Sequence, residues 1–466
     1  MVNRQTIKGM DKTVVINVVG LTKRLIGEHT PFIKSFLEKG EAASIIPVLP
    51  AVTCTSQTTY LTGKWPTEHG VVGNGWYFKD ECEVKFWRQS NKLIESDKLW
   101  DEMKQLDSDF TCANLFWWYN MYSTVDFSVT PRPNYLADGR KIPDIYTHPP
   151  ELRDQLQNEL GTFPLFNFWG PKTSVKSSQW IADAALRTDK LHDPTLTLIY
   201  LPHLDYSLQR HGIDFSKISI DLKEIDDVVK KLVSYYDNGN TNVVLLSEYG
   251  ITNVNNPIHI NRILRSEGLI SIREERGLEL LDAGASKAFA VADHQIAHVY
   301  LNDPATKKSV KNLLEGIDGI EKVLSASELK EANLDHDRCG DLVLIADKNS
   351  WFTYYFWMDD AKAPDYARMV DIHKKPGYDP VEMFTDPGDK LVMLKVIWKL
   401  IKKKLGFRTV LNIIPLKADL VKGSHGRIPE DTLDYPVFIT NNRRPLNQEL
   451  YKPTEVYKLL MKQLTG

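Results

Sequence analysis

Four short apolar runs, at residues 13–19, 195–201, 243–247 and 437–440, do most to limit what this chain can fold into. Each is nearly continuous in valine, isoleucine, leucine and phenylalanine instead of alternating with polar residues, which is the pattern of a strand buried on both faces. Between them lie stretches with helical periodicity at residues 31–39, 178–187 and 222–235. Strands alternating with helices predict an α/β chain with a mostly parallel sheet sandwiched by helices. In such sheets reactive groups collect beyond the C-terminal ends of the strands. Three polar loops follow strands in this way, at residues 20–28, 202–212 and 248–256.

With 466 residues the chain exceeds one ordinary domain. The expected division is an α/β core of residues 11–255 and 377–440, an inserted smaller cap lobe of 256–376, and a C-terminal tail of 441–466. The lobe differs in character, carrying "AFAVADHQIAHVYL" and the aromatic "WFTYYFWMDD". A second aromatic insertion, "ANLFWWYNMYSTVDFSVTPRPNY", suits a packed core or a pocket lining, the core being the ordinary use of such residues.

A net charge of −3 provides no global basic field, so no nucleic-acid partner is expected. The cysteines at 54, 82, 112 and 339 form no C-x-x-C pair and read as reduced thiols of a cytoplasmic protein. The apolar run 14–21 is short for a membrane span and reads as a strand, and no leader peptide is expected. The stretch "LVMLKVIWKLIKKKLGF" (391–407) is a basic amphipathic helix pattern with Lys395, Lys399 and Lys402 on one face. It suits either peripheral contact with an anionic membrane or, as is more usual, a surface helix whose apolar side covers the sheet. The oligomeric state is left open.

The candidate chemistry lies in Pro50-Ala51-Val52-Thr53-Cys54-Thr55, followed by Tyr60-Leu61-Thr62-Gly63, Glu68-His69-Gly70 and Gly73-Asn74. It reads as a strand, a turn, a hydroxyl at the mouth of a helix, and a second polar loop. A hydroxyl there sits beside unpaired N–H groups in the positive field of the helix, where phosphoryl oxygens are held. Threonine is also a common N-cap, so the hydroxyl alone is not diagnostic.

The whole run "PVLPAVTCTSQTTYLTGKWPTEHGVVGNGWY" resembles the nucleophile segment of the nucleotide pyrophosphatase/phosphodiesterase branch of the alkaline phosphatase superfamily. The resemblance in segment order spans about residues 11–440. It implies an alkaline-phosphatase-like fold, Thr53 as the group that attacks phosphorus, and Asn74 as a holder of a phosphoryl oxygen.

The resemblance also implies two divalent metals held by three aspartates and three histidines, and here the chain departs from the pattern. Val19 stands where the first aspartate is expected. "LPHLDYSLQRHG" keeps Asp205 but has Gln209 in a histidine position, with His203 and His211 nearby as substitutes. Ser247-Glu248-Tyr249-Gly250 stands for Ser-Asp-His-Gly, and "KGSHGRIP" supplies the late His425. Asp205, Glu248 and His425 would suit one ion of zinc, manganese or iron, to which Gln209 could add an amide oxygen. Fewer than the usual two metals are therefore expected. Asp293, His294, His298, Asp371 and His373 are weaker candidates, since a strand would put the members of each histidine or Asp-x-His pair on one face.

The expected activity is a phosphodiesterase or nucleotide-pyrophosphatase-like hydrolase acting through Thr53 on a small-molecule phosphoryl ester, with a remodelled metal site. One alternative is a non-catalytic binder of a phosphorylated metabolite. Another is metal-independent chemistry in which Tyr249 or Glu248 acts as acid or base.

Overall fold

The computed structural model describes residues 9–137, 140–389, 391–407, 409–441 and 444–466. Its centre is a nine-stranded sheet. In chain order the strands are β1 (Thr13–Val18), β2 (Glu41–Ile45), β3 (Cys112–Leu115), β4 (Phe127–Pro131), β5 (Ile145–His148), β6 (Leu196–Leu201), β7 (Asn242–Leu246), β8 (Val437–Thr440) and β9 (Leu450–Tyr451). Their order across the sheet is β9-β2-β8-β7-β1-β6-β3-β4-β5. The middle five, β7-β1-β6-β3-β4, run parallel, while β8 is antiparallel to both β7 and β2. Every residue of β1, β6, β7 and β8 is buried, as their unbroken apolar runs require.

Helices Lys176–His192 and Phe215–Tyr236 turn apolar stripes into the same core. Asp226, from the second of these, caps helix Pro31–Lys39 by accepting from the amides of Phe32 (2.9 Å) and Ile33 (2.8 Å). A cap of this kind is worth about 1 kcal/mol, and it locks two sheet-covering helices together. Residues 444–466 correct the expectation of a tail. They add β9 to the sheet edge, and helix Val456–Thr465 buries Val456, Leu459, Leu460 and Leu464 in the main core. The i, i+3, i+4, i+8 spacing of those four residues was the readable signal.

Within 256–376, strands Ala288–Asp293, Ile296–Leu301, Leu342–Ala346 and Ile320–Ser325 form a separate antiparallel sheet with its own apolar core. The run containing His294 and His298 is not one strand. It folds back as a hairpin at His294-Gln295, with His294 at φ +62°, so the two histidines do not share a face. The aromatics of 351–357 pack as core, and so do Phe116, Trp117 and Tyr119 of the other insertion.

Helix Val392–Lys404 departs from its usual reading. Leu394, Ile397, Trp398 and Ile401 face outward and are exposed instead of covering the sheet. No helix among the described residues is long and apolar enough to cross a membrane.

The segment approaching the candidate site is fixed by a buried triad. Lys375 Nζ lies 2.7 Å from both Asp379 Oδ2 and Glu382 Oε1, and Trp169 Nε1 donates to Glu382 Oε2 at 2.6 Å. Burial alone would lower the Lys375 pKa, but the two carboxylates raise it, so the ammonium stays charged. Removing that charge leaves two buried carboxylates facing each other. Lys375→Met is therefore expected to cost about 3–5 kcal/mol, read as a fall in the denaturant midpoint.

Candidate active site

The site lies where the sheet topology predicts, beyond the C-terminal ends of β1, β6 and β7. Asn17 comes from β1 itself, Asp205 and Gln209 from helix His203–His211 after β6, and Glu248 and Tyr249 from the turn after β7. Thr53 is the first residue of helix Thr53–Thr62 and Val52 its N-cap. The helix mouth thus presents its hydroxyl beside the first-turn amides, of which that of Cys54 is taken up by Asn74 Oδ1.

Tyr249 joins the two halves. Its hydroxyl is 3.1 Å from Thr53 Oγ1 and 3.2 Å from Asp205 Oδ1. The phenol has one proton, which it donates to the carboxylate, so the Thr53 hydroxyl donates to the phenol oxygen. Gln209 Nε2 donates to Asp205 Oδ2 at 2.7 Å, and Tyr378 Oη donates to Gln209 Oε1 at 3.0 Å. The Tyr249 ring lies flat on His425, with centroids 3.6 Å apart and planes 7° apart. Gly250 follows it because a Cβ there would meet the Asp434 carbonyl at 2.0 Å.

His425 Nδ1 donates to the Ala51 carbonyl at 2.7 Å, leaving Nε2 as a lone pair. That Nε2 is buried, has no hydrogen-bond partner, and lies 3.8 Å from Asp205 Oδ1. Gly426, at φ +120°, lets the backbone return so that its carbonyl accepts from the Ala51 amide at 2.8 Å. His294 stacks on both His425 and Tyr378 at 3.7 Å.

Asn74 is held from the inserted segment. Its amide N donates to Asp293 Oδ2 at 2.8 Å, its Nδ2 to Asp293 Oδ1 at 3.1 Å, and its own Oδ1 accepts from the Cys54 amide at 3.0 Å. Glu248 Oε1 accepts from both Asn17 Nδ2 and Gln57 Nε2, while Oε2 is buried without a partner.

Burial dominates the electrostatics. It raises Asp205 and Asp293 to about 7 and Glu248 to about 8, and the hydrogen bonds to them only partly offset it. It lowers His425 to about 3 and leaves His294 well below its ordinary value.

The other sequence candidates lie elsewhere. His203 faces helix Phe215–Tyr236, with Nε2 3.3 Å from Asp221 Oδ1 and 3.2 Å from Glu224 Oε2. His298 bonds the Val72 carbonyl at 2.9 Å, and His373 is at the surface beside the Phe86 carbonyl. Sequence reasoning missed Asn17, Gln57 and Tyr378. Asn17 had a signal, being the lone amide in an apolar strand. Gln57 and Tyr378 had none, because only the folded chain brings them in.

The residues present do not fit a two-ion centre. Val19 has no donor atom, the Tyr249 hydroxyl is spent as a bridge between Thr53 and Asp205, and Glu248 is held by two amides. Among the described residues, the group of three acidic or histidine side chains that converges within 4.8 Å is His203, Asp221 and Glu224, not Asp205, Glu248 and His425. The orphaned His425 Nε2 beside Asp205 fits one ion, and Gln209 would join only if its amide turned over.

The family model for type I phosphodiesterase/nucleotide pyrophosphatase matches residues 13–379, and the chain belongs to that family. Its architecture is that of the alkaline phosphatase superfamily. Murine ectonucleotide pyrophosphatase/phosphodiesterase 5 superposes with a TM-score of 0.59 at 13% identity, covering 97% of this chain and 95% of that one. Phosphonoacetate hydrolase from Sinorhizobium meliloti, in complex with phosphonoformate, gives 0.59 at 13%, covering 98% and 96%. Ectonucleotide pyrophosphatase/phosphodiesterase 1 of Saccharomyces cerevisiae is 22% identical over 330 residues, 64% of this chain and 39% of its own. An uncharacterised pyrophosphatase/phosphodiesterase of Schizosaccharomyces pombe is 22% identical over 263 residues, 55% of this chain and 44% of its own. The chain thus spans about two-fifths of the length of these two curated relatives.

Glu248 makes the electrostatics testable. Its folded pKa lies above its unfolded value, so the native state holds a proton that the unfolded chain releases. The stability from this group is present in full below about pH 4.5 and lost as pH rises through about 8. Glu248→Gln removes that loss, and its unfolding free energy is expected to fall less than the parent's between about pH 5 and 8 in denaturant titrations.

Proposed function

We propose that this chain is a phosphodiesterase that attacks a small phosphoryl ester with Thr53, using a remodelled metal site. The observation that carries the reading is the hydrogen-bond chain from Thr53 Oγ1 through the Tyr249 hydroxyl to Asp205 Oδ1 at the mouth of a helix. As Thr53 Oγ1 bonds to phosphorus, its proton passes to the Tyr249 oxygen, and the Tyr249 proton passes to Asp205. The leaving alkoxide departs with the electrons of the broken P–O bond. General-base help of this kind contributes about 10²–10⁴-fold. The first-turn amides of Thr53–Thr62 other than that of Cys54, which is bound to Asn74 Oδ1, and the second Nδ2 proton of Asn74 hold the phosphoryl oxygens. An ion on Asp205 and His425 would add Lewis-acid stabilisation of a phosphoryl oxygen.

Thr53 is only 3% exposed, so the site must open to admit substrate, and the His294 ring, which lies between His425 and Tyr378, is the group whose movement would open it. Two relatives support the substrate class. An inactive threonine-to-alanine variant of murine ectonucleotide pyrophosphatase/phosphodiesterase 5 is solved in complex with AMP, and the hydrolase from S. meliloti with phosphonoacetate. The second reading, a non-catalytic binder, draws on Val19 and Tyr249 standing in ligand positions.

Turnover of a chromogenic phosphodiester tests both readings. Thr53→Ala is expected to abolish it, and Tyr249→Phe, which keeps the ring on His425, to lower kcat by about 10²-fold or more. Unchanged turnover in Thr53→Ala would remove Thr53 from the mechanism, and AMP binding by the unaltered chain without turnover would establish the binder.

Elemental mass spectrometry tests the site separately. About one bound ion per chain, or none, is expected, while two would restore the ordinary two-metal mechanism.

A further inference from the structure

Nine of the nineteen large apolar side chains that stand exposed among the described residues lie between Leu391 and Leu411. Such a concentration on one short segment requires something to cover it. Leu394, Ile397, Trp398, Ile401 and Leu405 recur at i, i+3, i+4, i+7 and i+11, one continuous stripe along and just past helix Val392–Lys404, and each is at least 44% exposed. Val392 and Val396, off that stripe, are half-buried. Its base is tied down by Lys395 on Asp389 (2.6 Å) and Lys417 on Asp386 (2.8 Å).

Charge decides what covers the stripe. Between Asp389 and Asp419 there are eight basic residues and no acidic one. The chain's net charge of −3 includes these eight, so the remainder carries a net charge of −11 while this segment carries +8. Lys395, Lys399 and Lys402 run along the edge of the stripe, and Lys402 Nζ sits 5.3 Å over the Trp398 ring. A second copy docked on this face would bring two lysine rows together with no carboxylate between them. An anionic bilayer matches both features, with acyl chains for the stripe and phosphates for the lysines. The helix has 13 residues, too short to span and suited to lying in the interface, where Trp398 and Phe407 are favoured.

We infer that helix Val392–Lys404, with the apolar side chains that follow it at Leu405, Phe407, Val410 and Leu411, docks this protein on anionic lipid bilayers. The segment connects Tyr378 to His425, so docking engages the same stretch of chain that delivers two rings to the candidate site.

The test is flotation of the full chain with vesicles of phosphatidylcholine alone or with about 30% phosphatidylglycerol. Binding to the anionic vesicles is expected to be at least about tenfold stronger and to weaken as salt rises. The double variant Trp398→Glu/Leu405→Glu should no longer float, and Lys402→Glu should lose about tenfold. These side chains are at the surface, so both variants should keep the parent circular dichroism spectrum. Failure of the parent chain to float would overturn the inference, as would flotation that the apolar double variant does not change. A dimer in sedimentation velocity that the same variant dissolves, without vesicle binding, would assign the face to a second copy instead.

Discussion

The hydroxyl of Tyr249 is the atom on which the candidate site depends. It bonds both the helix-mouth Thr53 and the Asp205 carboxylate. A positively charged ion is the usual way to bring a hydroxyl and a carboxylate together in a dry pocket, because it offsets the cost of burying the charge. A phenol does so differently, by donating one proton and accepting another. The price is visible around it: Asp205 and Glu248 are both pushed toward their neutral forms.

His425 ties the surroundings to that bridge. Its ring backs Tyr249, its Nδ1 holds the Ala51 carbonyl in the turn before Thr53, and its own carbonyl accepts from the Gln295 amide at 2.8 Å. Through one residue the turn before Thr53, the phenol and the hairpin of the inserted segment become a single packed unit. The hairpin also supplies Asp293, whose two oxygens fix Asn74.

Much of this was legible in the sequence. The buried strands announced themselves because a strand covered on both faces has no reason to alternate, and the hydroxyl run at Thr53 was readable because its neighbours kept a familiar order. Val19, Gln209 and Tyr249 were visible as departures, but what replaces the missing ligands was not. A tyrosine in a histidine position carries no sign of which oxygens it will bridge, since that depends on Gly250 letting the turn pass under Asp434. Nor could spacing show that His294 and His298 part at a hairpin, because the strand and the turn share one apolar run. The outward face of helix Val392–Lys404 was hidden for a related reason. Periodicity fixes which residues share a stripe, not whether the stripe meets the protein or the solvent.

The inserted segment then bears on how the site works, not only on how it is enclosed. Asp293 and His294 belong to a separately cored sheet, yet one clamps Asn74 and the other stacks on His425 and Tyr378. Tyr378 is held in turn by Gln209, and Lys375 secures the preceding turn through Asp379 and Glu382. Thr53 is almost fully covered, and separating the hairpin from the Tyr378 turn is one way to open the pocket around it. That motion would release Gln209 from the Tyr378 hydroxyl and leave the Thr53–Tyr249–Asp205 bridge in place. That opening and the Thr53–Tyr249–Asp205 bridge thus fall on different hydrogen bonds of one network.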